Sequence, residues 1–410
     1  MGRYSLLALA LSVSVAACST EGPGPAIAAQ APDAELASNP SHESHEPHGK
    51  VATGQTIFRF DTFGDETFWT DTLHMNEVIA KGVSPKTALS VGLKVDATAL
   101  PAEVVKGIQA GTVDLSSPAT TVTLLKLNAV VGVIGKVSAD GKTLERVGIT
   151  CALCHSTVDN SFSSGIGKRL DGWPYRDLNV GAIIALSPAV TEAQKAVYNS
   201  WGPGKYDPRY NIDGKNMPVM IPPAFGLRHV AKEIYTGDGP VSYWNAYVGI
   251  TQMHGHGVFS DPRINVNVNV TPDLITSKLP ALREYQFSLN APGAVAGTFD
   301  AAAARRGRKV FDATCSSCHL SGNLSDVNNG VLHAPAEVGQ SAAYAERSAT
   351  KKYRTTPLRG LWHAPQLKGP YFHDGSAPTL EAAVEHEAGV AKASLTEAQK
   401  KDLVEYLKTL

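Results

Sequence analysis

The chain has almost no net charge, no long apolar run after its first residues, and little cysteine or methionine. Its 37 Lys and Arg set against 38 Asp and Glu leave a formal charge of −1. That balance points to neither nucleic acid nor an acidic lipid surface as a partner. Beyond the N-terminus no apolar stretch is long enough to cross a bilayer, so the body of the chain is expected not to span one. With five Cys and five Met in 410 residues, the position of each carries weight. The scarce residues are the informative ones.

The N-terminus reads as a targeting segment over residues 1–18. Arg3 supplies a positive start, Leu6 to Ala16 a short apolar run, and Val15-Ala16-Ala17-Cys18 closes it. The run is too short for a transmembrane helix and suits a signal peptide. The closing string resembles the bacterial lipobox, which implies acylation of Cys18 and a lipid anchor at the periplasmic or cell surface; an ordinary signal peptide with an incidental cysteine is the alternative. Glu21 to Lys50 is rich in Pro, Ala, Ser, Glu and His and has no apolar period. Such a stretch cannot bury enough surface to offset its ordering entropy, and residues 19–50 are expected to be a tether. His42, His45 and His48 belong to that solvated segment. The remainder is too long for one small core and is divided into residues 51–297 and 298–410.

The other four cysteines fall as Cys151-Ala-Leu-Cys154-His155 and Cys315-Ser-Ser-Cys318-His319. C-x-x-C-H is the attachment pattern of c-type haem. Two thiols three positions apart can each add to a vinyl group on one porphyrin edge, and the adjacent imidazole reaches the iron. A zinc site built from both halves, a redox CxxC, and paired structural disulfides are the competing readings. The two motifs could supply both halves of a zinc site. A redox CxxC, however, is rarely followed by His twice, and a disulfide closing CxxC is strained. Two independent CxxCH copies that consume every remaining cysteine favour haem. Two covalently bound haem c groups are therefore expected, on Cys151, Cys154 and His155 and on Cys315, Cys318 and His319. Calcium is carried as a further cofactor with no residue singled out for it.

The string AAAARRGRKVFDATCSSCH resembles the N-terminal helix and haem motif of class I cytochrome c domains, in which a small Gly lets another helix cross closely. SLTEAQKKDLVEYLKTL resembles the C-terminal helix that makes the crossing. Thr396 with Gln399 forms a capping box, and Leu403, Val404, Leu407 and Leu410 share one face. The first motif lacks a helix of that kind just before it. Thr121 to Val137 is β-branched and punctuated by Gly, and Ala139 to Lys142 is a turn signal, so strands or loops are expected there. A weak repeat follows each motif: YTGDGPVSYWNAYV (Tyr235 to Val248) matches YFHDGSAPTLEAAV (Tyr371 to Val384), and IPPAFGLRH matches TTPLRGLWH. The fold expected is mainly α, two tandem class I cytochrome c-like haem domains with irregular and β insertions in the first.

No methionine follows Cys318, so the second iron has no methionine from its own domain. The candidates are His333, His363, His373 and His386, with Glu387 behind them. KYRTTPLRGLWHAPQLKGPYFHDGSAPTLEAAVEHEAG resembles the C-terminal signature of the bacterial di-haem cytochrome c peroxidase superfamily, which includes the tryptophylquinone-maturing enzymes. In that superfamily the residue at or beside the position of Glu387 supplies the distal ligand, and the resemblance implies His386 here. For the first haem the repeat projects Met253, His254 and His256 onto the matching place, with Met253 preferred. Met217 and Met220 read as packing. Arg169, Asp171, Trp173, Arg176 and Asp177 suit propionate pairing and a stacked Trp, or a charged loop.

The resemblance implies a periplasmic redox enzyme of the peroxidase kind, reducing peroxide or another small oxidant with electrons from a partner redox protein. A non-catalytic electron carrier at the cell envelope is the alternative.

Overall fold

The computed structural model describes residues 47–320, 322–363 and 366–410. The leader, Cys18 and nearly all of the expected tether lie outside them. Residues 47–50, read from composition as the end of a tether, already belong to a helix over Pro47–Phe60.

Near the C-terminus the helix Ala301–Thr314 is started by the Asp300 carboxylate, which accepts from the Ala302 and Ala303 amides. The helix Glu397–Leu407 starts at the expected box, with Thr396 and Gln399 bonding each other's backbone. The two cross at Gly307. A Cβ there would lie 1.9 Å from the Asp402 carbonyl oxygen, so no other residue fits this approach. Phe311 and Tyr406 pack at 5.1 Å beside the crossing, and the Arg306–Asp402 pair closes its outer edge.

The same device occurs at the other end of the chain. Helix Pro47–Phe60 crosses helix Leu279–Ser288, and a Cβ on Gly54 would lie 2.0 Å from the Ala281 carbonyl oxygen. Phe58 and Tyr285 pack edge to face at 5.4 Å. Gly and Phe are spaced alike in Gly54-x-x-x-Phe58 and Gly307-x-x-x-Phe311. The immediate flank of the first motif is extended, as read, in the strand Leu144–Ile149; the helix Pro47–Phe60, remote in sequence, stands in the place that Ala301–Thr314 holds at the second motif. The end of the intervening segment returns to it, with the Thr150 hydroxyl donating to the Arg59 carbonyl at 3.2 Å. With residues 61–149 excised, Phe-Arg-Phe-Thr-Cys would stand against Phe-Asp-Ala-Thr-Cys.

The segment 61–149 builds a core of its own from Trp69, Leu73, Val95, Val122, Leu125 and Val130, into which Tyr175 and Leu178 also pack. Thr121 to Lys126 is helical, not extended, within Pro118–Lys126. Pro118 stands in its first turn, where a missing N–H costs nothing, and burial of Val122, Leu124 and Leu125 outweighs the β-branched residues. The expected turn at Ala139 to Lys142 does join two antiparallel strands, Val133–Val137 and Leu144–Ile149. All the sheets described are two-stranded. The architecture is therefore mixed, helices with small sheets, rather than mainly α.

The region 207–238 is fastened to 341–355 by buried charge. Arg347 meets Asp207 and Asp213, and the Arg209–Asp238 pair reaches across by donating to the Arg347 carbonyl and accepting from the Ala349 amide. Val219, Tyr344, Ala345 and Tyr353 form a small apolar cluster in the same place.

Candidate functional site

Both CxxCH strings form a tight helical turn. In the first, the His155 amide bonds the Cys151 carbonyl at 3.2 Å; in the second, the His319 amide bonds the Cys315 carbonyl at 3.0 Å. The two imidazoles are tied alike. His155 Nδ1 lies 3.0 Å from the Pro222 carbonyl oxygen and His319 Nδ1 lies 2.8 Å from that of Leu324. A carbonyl can only accept, so each Nδ1 carries the proton and each Nε2 keeps a lone pair. That is the arrangement by which proteins orient a metal-ligating histidine. None of the four cysteines pairs with another. The two carbonyls that set the tautomer carry no sequence signal.

A cavity of about 510 Å³ opens against the second motif. Its walls are apolar where Phe311, Leu361, Leu380, Val384, Leu403 and Leu407 face it, with Cys315, Cys318 and His319 beside them. Its polar groups include Arg176, Arg354, Tyr371, His373, Gln340 and Glu387. A haem is a flat apolar disc with a metal at its centre and two carboxylates on one edge. The thiols, the imidazole lone pair, the apolar walls and the cations fit that chemistry.

Around the first motif, Cys151 packs against a buried cluster that includes Phe58, Val131, Ala152 and Met253. Cys154 packs against the other core, with Tyr175 and Ile221. Burial pushes both thiols up to about 12 and His155 down to about 4. Met253 is 3% exposed and ends a π-helical turn over Val248–Gln252, a local strain that recurs at functional sites. His254 stacks on Phe68 at 3.6 Å, and burial takes it to about 4.

The expected distal residues of the second haem are placed unequally. His386 is turned away from the cavity: its Nε2 donates to the Gly339 carbonyl at 3.2 Å, and its Nδ1 lies 3.4 Å from the Glu387 carboxyl. Glu387 is the one that walls the cavity, and burial raises its carboxyl above the ordinary range. A signal was present in the helical period, since Leu380, Val384, Glu387 and Ala391 follow a four-three-four spacing on one face. His373 is buried at the wall with Nδ1 3.0 Å from Gln340 Oε1. His333 is engaged by Asp326 at 2.9 Å and Thr355 at 3.1 Å. His363 packs edge-on to Trp173 at 5.0 Å.

The charged residues after the first motif resolve differently from the expectation of shared propionate pairing. Arg169 is paired with Asp96, Asp171 with Arg59, and Asp177 with Lys94. Arg176 alone has no acidic partner, and it faces the cavity of the second motif.

Residues 304–410 match the family model for cytochrome c, so this part of the chain is a cytochrome c domain and implies covalently bound haem c. A stretch of 125 residues is 32% identical to the methylamine utilization protein MauG of Methylorubrum extorquens, covering 26% of this chain and 34% of that protein. The match thus spans about a third of that relative's length. Among solved structures, hydrazine synthase of Kuenenia stuttgartiensis aligns with a TM-score of 0.34 and 19% identity, over 47% of this chain and 72% of that one. The cytochrome c match is confined to the C-terminal part of the chain.

Proposed function

We propose that the chain is a di-haem c-type cytochrome held at the bacterial cell envelope through Cys18, acting as a peroxidase-like oxidoreductase supplied with electrons by a partner redox protein. One observation carries the reading: His155 and His319 both commit Nδ1–H to a main-chain carbonyl and keep Nε2 free, each beside two unpaired thiols. Haem c, when bound, supplies one-electron chemistry at its iron. The chain supplies the rest. Pro222 and Leu324 hold the imidazoles in register, and the leucine and phenylalanine walls exclude water. Glu387, whose proton is retained further up the pH scale than that of an exposed glutamate, offers an acid at the cavity wall. The like crossings at Gly54 and Gly307 support a tandem arrangement of two related haem domains.

Met253 favours the second reading, a pure electron carrier. A thioether buried in the cluster against which Cys151 packs would suit a closed first iron. Adding cyanide and then peroxide to the half-reduced protein separates the two. The enzyme reading expects one site to bind cyanide, and peroxide turnover with a reduced small cytochrome that falls at least about tenfold in Glu387→Gln. Two haems inert to both reagents would leave the carrier.

A further inference from the structure

Arg176 belongs to the loop after the first motif, yet it is one of the residues lining the cavity of the second. The residue is half-buried, and its Nε and Nη1 are inaccessible and have no hydrogen-bond partner. The ionisable groups that bear on it are Tyr235 and Tyr371, the matching tyrosines of the two repeats, and burial holds both phenols above their ordinary value. No carboxylate of the described residues is among them. Two further groups on the same cavity wall lack partners, Arg354 Nη1 and the Tyr371 hydroxyl. Arg354 does have Glu233 at 3.5 Å and Arg359 is exposed to solvent, so among the described residues the sequestered, uncompensated charge on this cavity is that of Arg176. A buried, unpaired cation is destabilising unless an anion meets it. Its planar fork suits a carboxylate.

We propose that Arg176, helped by Arg354 Nη1 and the Tyr371 hydroxyl, is the carboxylate clamp of the second haem, so that the first-motif loop holds the propionate edge of the cofactor attached at Cys315 and Cys318. This rests on the haem reading of the cavity. The chemistry is self-consistent: vinyl and propionate groups occupy opposite edges of the porphyrin, so thioether bonds at one wall leave the carboxylates to the far one. A guanidinium at that edge stabilises the reduced iron, which carries one less positive charge, and keeps the propionate ionised. Arg176 is a positioning residue that tunes the second haem from the other half of the chain.

The test is a spectroelectrochemical titration of the full-length holoprotein, with the step of the second haem assigned by its response to Glu387→Gln. Arg176→Gln is expected to lower that step's midpoint and make it vary with pH under mildly acidic conditions, where the freed propionate takes up a proton. Arg176→Lys, which keeps the charge and loses the fork, is expected to lower it less, and Tyr371→Phe least. If Arg176→Gln does not accumulate, the Lys variant decides: an unchanged midpoint overturns the clamp. A normal haem complement with wild-type midpoints in Arg176→Gln also overturns it, as does a shift confined to the other step, which would assign Arg176 to the first haem or to a free anion. Absence of haem at Cys315 and Cys318 in the wild-type protein would instead remove the haem reading itself.

Discussion

The two helix crossings are built alike and approached differently. At the C-terminal one, the helix runs straight from Gly307 through Phe311 into Cys315. At the N-terminal one, the chain leaves at Phe60, builds most of a second apolar cluster from residues 61–149, and returns at Thr150 to begin the motif. The crossing survives the interruption because it needs only a Gly, an aromatic pair and two helix faces. The interruption changes what surrounds the motif. The second site keeps a wide cavity, whereas the first has its thiols packed between two apolar clusters. Distance along the chain is a poor guide to which helix serves which motif.

The largest effects are expected at the crossings themselves. Gly54→Ala and Gly307→Ala each press a Cβ onto a backbone carbonyl at 2.0 and 1.9 Å, and each should cost about 3 kcal/mol or more, since neither helix can yield without parting. Urea unfolding of the holoprotein measures this; a variant that loses less than about 1 kcal/mol would show that its crossing is loose and break the parallel.

Next comes a contrast confined to the interrupted half. Asp65 is fully buried against the Ile149 amide, and burial raises its carboxyl to about 9. The raised value means that the folded state keeps a proton which the unfolded chain releases above about pH 4. Stability tied to this group is therefore present in acid and is lost as pH rises toward 9. Asp65→Asn should match the wild type near pH 4 and exceed it increasingly up to pH 9, by at most a few kcal/mol. Thermal unfolding across that range checks it, and a constant difference would contradict it.

The smallest expected effects compare the two ion pairs that flank the crossings. Arg59→Ala strands the buried Asp171, which is left with Ser156 and Tyr285 as donors, and should cost about 2 kcal/mol. Arg306→Ala opens an exposed pair and should cost less than about 1 kcal/mol. Equal losses would mean that the two edges are not as differently buried as the structure has them.

The sequence made the C-terminal part legible because its signals are local: a capping box, a Gly and Phe four apart, and a motif directly after them. Helix Pro47–Phe60 escaped because its partner lies more than two hundred residues away, and because a polar, Pro-rich stretch runs into it without a break. Thr121 to Lys126 misled through β-branching, which burial of Leu124 and Leu125 overrides. The motif residues could be read directly. The cavity wall could not, except for Glu387, whose place on the apolar face of its helix was available from spacing alone. Arg176 was legible as a cation near a haem, but not as one serving the far motif, since that depends on how the two halves meet.

The central claim is that the chain attaches haem twice. Peptide mapping by mass spectrometry, on protein from a host competent in cytochrome maturation, tests it directly. The account predicts that the peptide holding Cys151 to His155 and the one holding Cys315 to His319 each carry one haem. A haem-free first peptide beside a loaded second one would contradict it.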